Sequence, residues 1–339
     1  VLDKRRPALT QDALYREMQK DSLDGRGIAG YVRLEKFYGL LKDLTKTLWS
    51  RQGADAELVE KTVEERYARL RGMLALGFSS RFEAGLEARA SLYFDKEKLS
   101  PLISPVYTCV PRENRSWRFV PPKAVIYQWG ACYDLKAYWE QTKAELAQLS
   151  SRAQGPSPAE IIAAYEKEIG FDIEREVIPV FGHEFGGFFT GVDIVQERLW
   201  PQVVLFVEIK DHEKAEGFVK NIISKVAALP SRQEEYNGQV ITSFQWTAGF
   251  SPSYTFLEDY LLVATKDDLI KAARDAAVEP AKRLTAQPFF QDAAPGLGGK
   301  NNSVFYLRAD ALARQTEKVL VWRHEQYLRE AAKQEAFLK

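Results

Sequence analysis

The chain has 339 residues, and its 47 Lys and Arg cancel its 47 Asp and Glu. That length suits two domains, or one domain that has doubled, each with a real core; the cancelled charge leaves no global field to hold nucleic acid or an anionic membrane surface. No run of 18 apolar residues occurs, so no segment can cross a bilayer as a helix, and three histidines with two cysteines leave little material for a zinc site.

The opening residues, Val1-Leu2-Asp3-Lys4-Arg5-Arg6, lack an initiator methionine and leave room for a signal or anchor upstream. After this polar leader, residues 27–35 alternate as a strand, with Tyr31, Arg33 and Glu35 on one face and Ile28, Val32 and Leu34 on the other. A helix is expected over 36–49, and a second over 55–74, where Val59, Val63, Tyr67, Leu70 and Leu74 recur at helical spacing. Residues 78–94 predict one or two strands, 95–102 a short helix, and the segment to 122 an ordered loop. Cys109 and Cys132 flank Trp117; they form either one disulfide around it or two separate half-buried thiols.

A strand is expected over 123–130 and a helix over 134–149, followed by a Ser, Gly and Pro linker at 150–158. Then come a helix over 158–169, a strand ending near Ile194, a strand over 203–209, and a helix over 211–228 opened by an acidic cap. The turn signal Tyr236-Asn237-Gly238 precedes a strand over 238–246, which pairs with 254–265, bent at Glu258 and Asp259. A helix at 267–277 capped by Asp267, a strand at 303–309 and a helix from 310 to the end complete the chain.

A strand-then-helix phrase recurs four times, at Tyr31, Tyr127, Phe206 and Tyr306. The first and third copies are 175 residues apart and the second and fourth 179, as a duplication would leave them. The expected fold class is therefore α+β. It is internally duplicated into β-α-β-β-α-β-like units over 1–150 and 151–339, with antiparallel-rich sheets and helices packed on one face.

Several catalytic signatures fail on particular residues. The stretch from Pro295 to Asn301 has Ala294 where a phosphate loop needs its first glycine and Asn301 where it needs Ser or Thr. His183-Glu184-Phe185-Gly186-Gly187 lacks the second histidine of a zinc-protease helix, and its glycines suit a strand. Around Ser251, the second glycine of a nucleophile elbow is replaced by Ser253.

The pattern with most binding character is Tyr31-x-Arg33-x-Glu35 and its echo Tyr306-x-Arg308-x-Asp310. Each sets an aromatic, a guanidinium and a carboxylate at alternate positions, either as a binding platform or as a solvated strand face held by local pairs. Tyr127, Trp129, Tyr133, Tyr138 and Trp139 are expected to pack strand against helix.

From Phe171 onward, the chain resembles the bacterial family catalogued as domain of unknown function 3352. The resemblance covers roughly residues 120–320. It rests on Phe181-Gly182-His183-Glu184, on the run from Val204 through Glu208 and Asp211 to Glu216, and on Tyr236-Asn237-Gly238. The strands from Asp259 to Thr265 and from Phe305 to Asp310 complete it. It implies a periplasmic or otherwise extracytoplasmic protein of the cell envelope, preceded by an anchor or signal, with no catalytic residues to carry over. It also implies that Gly182 and Glu184 hold structure through a tight strand entry and a paired carboxylate. The expectation is a non-catalytic binding or assembly protein, without cofactor or metal, that meets a protein partner through aromatic-rich sheet faces. The alternatives are a carrier of a hydrophobic small molecule or lipid, and a hydrolase with a non-standard site.

Overall fold

A computed structural model of the chain describes residues 9–21, 28–51, 56–68, 72–82, 86–100, 104–153, 155–226, 230–293 and 297–337. Several residues used above, Asp55, Leu70, Leu102, Ala228, Pro295 and Gly296 among them, lie outside those described. Contacts divide the chain into two compact units, 1–108 and 109–339.

The first unit holds α1 (Ala13–Asp21), β1 (Ile28–Arg33), α2 (Leu34–Arg51), α3 (Ala56–Ala68), β2 (Met73–Phe82), β3 (Leu86–Phe94) and α4 (Ser104–Thr108). Its three strands form an antiparallel sheet in the order β1-β2-β3. Met18 of α1 is buried against Gly77, where any Cβ would collide with its thioether. Tyr38 of α2 turns inward, its hydroxyl donating to the Met73 sulfur at 3.8 Å, while Val59 and Val63 bury one side of α3. The second helix is described to Ala68, and Leu74, within its expected span, belongs instead to β2, which follows Gly72 at φ 92°.

The second unit is built on an eight-stranded, wholly antiparallel sheet. Its elements are β4 (Arg112–Glu113), β5 (Ile126–Gly130), α5 (Leu135–Ala153), α6 (Pro158–Ile169), β6 (Phe181–Val195), β7 (Arg198–Ile209), α7 (His212–Val226), β8 (Ser231–Tyr236), β9 (Gln239–Phe244), β10 (Ser253–Leu257), β11 (Tyr260–Ala264), α8 (Asp267–Val278), α9 (Pro288–Ala293), β12 (Lys300–Asn301), β13 (Ser303–Leu307) and α10 (Ala309–Phe337). The sheet order is β13-β5-β6-β7-β11-β10-β9-β8, and β4 pairs separately with β12.

Local chemistry accounts for several of these boundaries. Ser157 and Glu160 form a reciprocal capping box at α6, with Pro158 in its first turn and Gly170 in the left-handed conformation at its end. Asn237 and Gly238, both at positive φ, join β8 to β9 as the turn signal predicts. Residues 254–265 are two strands rather than one bent strand: Glu258 takes a positive φ, and β10 and β11 fold into a hairpin.

The α+β class with antiparallel sheets stands, but its organisation differs from the sequence expectation in three respects. The expected boundary at 150/151 falls inside the second unit, within the last turn of α5, because β5 already belongs to that unit's sheet. The halves do not build separate copies of one sheet: β5, expected to close the first half, pairs with β13, expected to close the second. Helices also cover both faces. On the inner face, α8 and α9 bury Leu269, Ile270, Ala273 and Phe290 against Tyr127, Trp129, Phe206, Tyr260 and Leu262. On the outer face, α7 packs Ala215 and Val219 against Ile209 and Leu261. The long α10 lies along the end of β6, where Gln315 accepts from the Val192 N–H at 3.0 Å and Trp322 donates to the Glu197 carbonyl at 3.2 Å.

Candidate functional site

The two sequence-predicted triads form, one in each unit, and both are occupied from within. In the first, the Tyr31 hydroxyl donates to Asp12 at 3.2 Å, and Arg33 pairs with Asp12 at 2.8 Å and with Glu35 at 3.3 Å. In the second, Arg308 donates to the Pro122 carbonyl at 3.2 Å, pairs with Asp310 at 3.4 Å and lies over the Phe289 ring at 4.4 Å. Neither triad is a single strand face, because each strand ends before the carboxylate: Glu35 and Asp310 sit in the first turns of α2 and α10, where a negative charge meets the helix dipole. Tyr306 is buried against Phe290 in the inner core rather than offered to a ligand. Bonds from Arg314 and Arg308 hold the Asp310 carboxyl down at about 2.

The densest polar constellation lies elsewhere, on the inner face around Arg115. Asn114 caps a short helical turn by accepting from the Ser116 N–H at 3.1 Å, which aims Arg115 at the ends of β6, β7 and β11. Its guanidinium pairs with Glu208 at 2.8 Å and Asp259 at 3.0 Å, comes within 3.8 Å of Glu184, and lies 5.9 Å from the centre of the Tyr260 ring. Glu184, only 2% exposed, also accepts from Trp129 Nε1 at 3.1 Å and from the Tyr260 hydroxyl. Burial first, and the bond to Glu184 second, push the Tyr260 phenol far above its ordinary range. Tyr127 is likewise raised by burial, although Ser116 and Asn114 bond to its hydroxyl and partly offset the shift.

Gly182 explains why this cluster closes. A Cβ there would land on the Glu208 carboxylate, which instead reaches past to accept from the backbone N–H groups of His183 at 2.9 Å and Glu184 at 3.3 Å. A buried carboxylate with an Asp, an Arg and a Tyr beside it is the arrangement a hydrolase would need. Here each of those groups is spent on a neighbour, and four cavities among the described residues are lined by other side chains. Among the described residues, no group of three or more His, Cys, Asp or Glu is placed to hold a metal ion. Arg115 itself escaped the sequence reading, because it lies 93 residues from Glu208 and 144 from Asp259.

Cys109 and Cys132 are disulfide-bonded, with Cα atoms 6.0 Å apart, closing the loop that carries Trp117. Trp117 stacks on Tyr127 at 4.0 Å, so the loop is part of the inner core.

The outer face of the sheet carries exposed apolar side chains in register. Phe305, Gln128, Gly187, Leu205 and Val263 form one row across β13, β5, β6, β7 and β11. Phe305 is 62% exposed, Leu205 49% and Val263 45%, with Phe185 and Leu307 exposed on adjacent rows. Tyr133 packs at 5.4 Å from Phe185 and stacks on Tyr138, extending the patch toward α5. Beside Val263, a cavity of about 190 Å³ opens between α7 and the sheet, lined by Val219, Ile222, Phe244, Tyr254 and Leu261. Among the described residues, no helix is long and apolar enough to cross a membrane.

No curated protein and no solved structure matches the chain. The family match begins later than the expected residue 120, beyond Phe181-Gly182-His183-Glu184, and takes in β7, β11 and β13. Over residues 190–334, from the end of β6 through most of α10, the chain matches the model of the family described as Protein of unknown function (DUF3352), the family its motifs resemble.

Proposed function

We propose that the chain is a non-catalytic binding protein of the cell envelope, an assembly or accessory subunit that meets another protein on the outer face of its eight-stranded sheet. The observation that carries this reading is the in-register row of Phe305, Leu205 and Val263, with Phe185 and Leu307 beside it. Exposed apolar side chains gathered on the sheet face that α7 also packs against have the character of a partner surface. The Cys109–Cys132 disulfide supports an oxidising compartment, as does the family resemblance. The saturated bonding of Glu184, Glu208 and Asp259 counts against a hydrolase.

A second reading, a carrier of a small apolar molecule, draws on the cavity under α7. Its volume of about 190 Å³ falls below the roughly 300–1,000 Å³ typical of sites that enclose a ligand of drug size. A lipid would have to lie largely outside it, so the protein-partner reading ranks first.

The test is native mass spectrometry of the parent chain and of Leu205→Glu, each extracted gently from the source organism and then denatured. A polypeptide released from the parent and missing from the variant supports the proposal. A small apolar molecule released from both, with no polypeptide, would replace it with the carrier reading.

A further inference from the structure

The eight-stranded sheet ends in two unlike edges. At one end, β8 carries Arg232, Glu234 and Glu235, charges of the kind that blunt an edge against further pairing. At the other, β13 is Ser-Val-Phe-Tyr-Leu, with no charge, proline or glycine, and among the described residues its only sheet neighbour is β5.

The register with β5 fixes which backbone groups of β13 face outward. The Ala131 N–H donates to the Asn302 carbonyl at 2.8 Å and the Arg308 N–H to the Val125 carbonyl at 2.8 Å, so positions 302 and 308 bond toward β5. In an antiparallel ladder the bonded positions alternate. Val304 and Tyr306 therefore also bond to β5, while Ser303, Phe305 and Leu307 turn their N–H and C=O groups away from it. All three outward residues are exposed. Among the described residues, none bonds to those outward groups.

We infer that the β13 edge pairs antiparallel with the β13 edge of a second copy of this chain, about a two-fold axis at Phe305. That register is self-complementary. Phe305 faces Phe305 of the partner subunit, and Ser303 faces Leu307 of the partner subunit in both directions. All three are bonded positions, so the pairing closes as an isologous interface without leaving a new open edge. At its ends, Arg308 lies opposite Asn302 of the partner subunit, so no like charges meet. The two Phe305 rings lie side by side on the outer face as an aromatic cross-strand pair. The edge shares Phe305 and Leu307 with the outer-face row, but Leu205 lies three strands from β13, about 14 Å away at ordinary strand spacing, so Leu205→Glu leaves the edge itself unaltered.

Sedimentation velocity of the 339-residue chain tests the pairing over about 1 to 100 μM, where micromolar interfaces populate. The expected result is a mass that rises toward twice that of the chain for the parent and for Leu205→Glu, and stays at one chain for Phe305→Pro. Proline at 305 removes an outward donor and leaves the bonds from Val304 and Tyr306 to β5 in place. An unchanged urea midpoint confirms that the variant folds. Should it not fold, Phe305→Lys sets two lysines face to face across the axis and is expected to weaken the dimer at least about tenfold. A parent that stays monomeric throughout overturns the inference, as does a dimer that survives both substitutions. So does capture of another protein's strand at this edge by a monomeric parent.

Discussion

Glu184 is the residue on which the inner polar cluster turns. It is buried, and Trp129 and Tyr260 depend on it as their acceptor. Glu184→Ala leaves two buried donors unsatisfied and is expected to lower unfolding free energy by about 2–5 kcal/mol, whereas Glu184→Gln, which keeps an acceptor, should cost clearly less; urea unfolding of the two variants checks the order. The tyrosines give a pH prediction. Burial raises the phenols of Tyr127 and Tyr260 in the folded state, so the unfolded chain loses those protons first. Their contribution to stability is complete below the ordinary tyrosine value of about 10 and declines as pH rises above it. A spectrophotometric titration should therefore find two of the 15 tyrosines ionising only together with unfolding. Ionisation of all of them in the ordinary range would contradict the buried geometry. At this scale the sequence was legible where the chemistry is local: Gly182 and Glu184 hold structure as their motif implies, and Arg33 and Arg308 each reach the carboxylate two residues on. Arg115 carried no local signal, since its partners come together only through the sheet.

Elements with strong end signals were recognisable in the sequence. Ser157, Pro158 and Gly170 bound α6 at the expected residues, and Asn237-Gly238 marks its hairpin. Those lacking a pattern were not. β8 is a polar edge strand without alternating apolar residues, and the β6–β7 hairpin turns at Gln196 and Glu197, two residues that rarely take positive φ. The disulfide ties one irregular element to the sheet by joining Cys109 to the end of β5. Closing a loop of this size is worth about 3 kcal/mol in the chain-entropy account. Cys132→Ser should lower the stability of the second unit by about that amount, read as a shift in its denaturation midpoint. An unchanged midpoint would mean that the loop packs equally well without the link.

For the molecule as a whole, the four repeated phrases are real strand-then-helix elements, yet their pairing is not that of two like halves. β5 and β13 lie side by side because strand order depends on contacts between residues far apart in the chain, which local periodicity does not encode. The result is a broad sheet whose inner face is closed by aromatic packing and the Arg115 cluster, and whose outer face keeps exposed apolar side chains beside α7. The central claim is that this outer face receives a protein partner. It is tested most directly by replacing Leu205 with a photo-crosslinking phenylalanine, with the exposed Glu213 of α7 replaced likewise as a control, and irradiating both in cells of the source organism. The account predicts a covalent adduct with a different polypeptide from position 205 and none from position 213. No adduct at 205, or equal adducts from both positions, would contradict it.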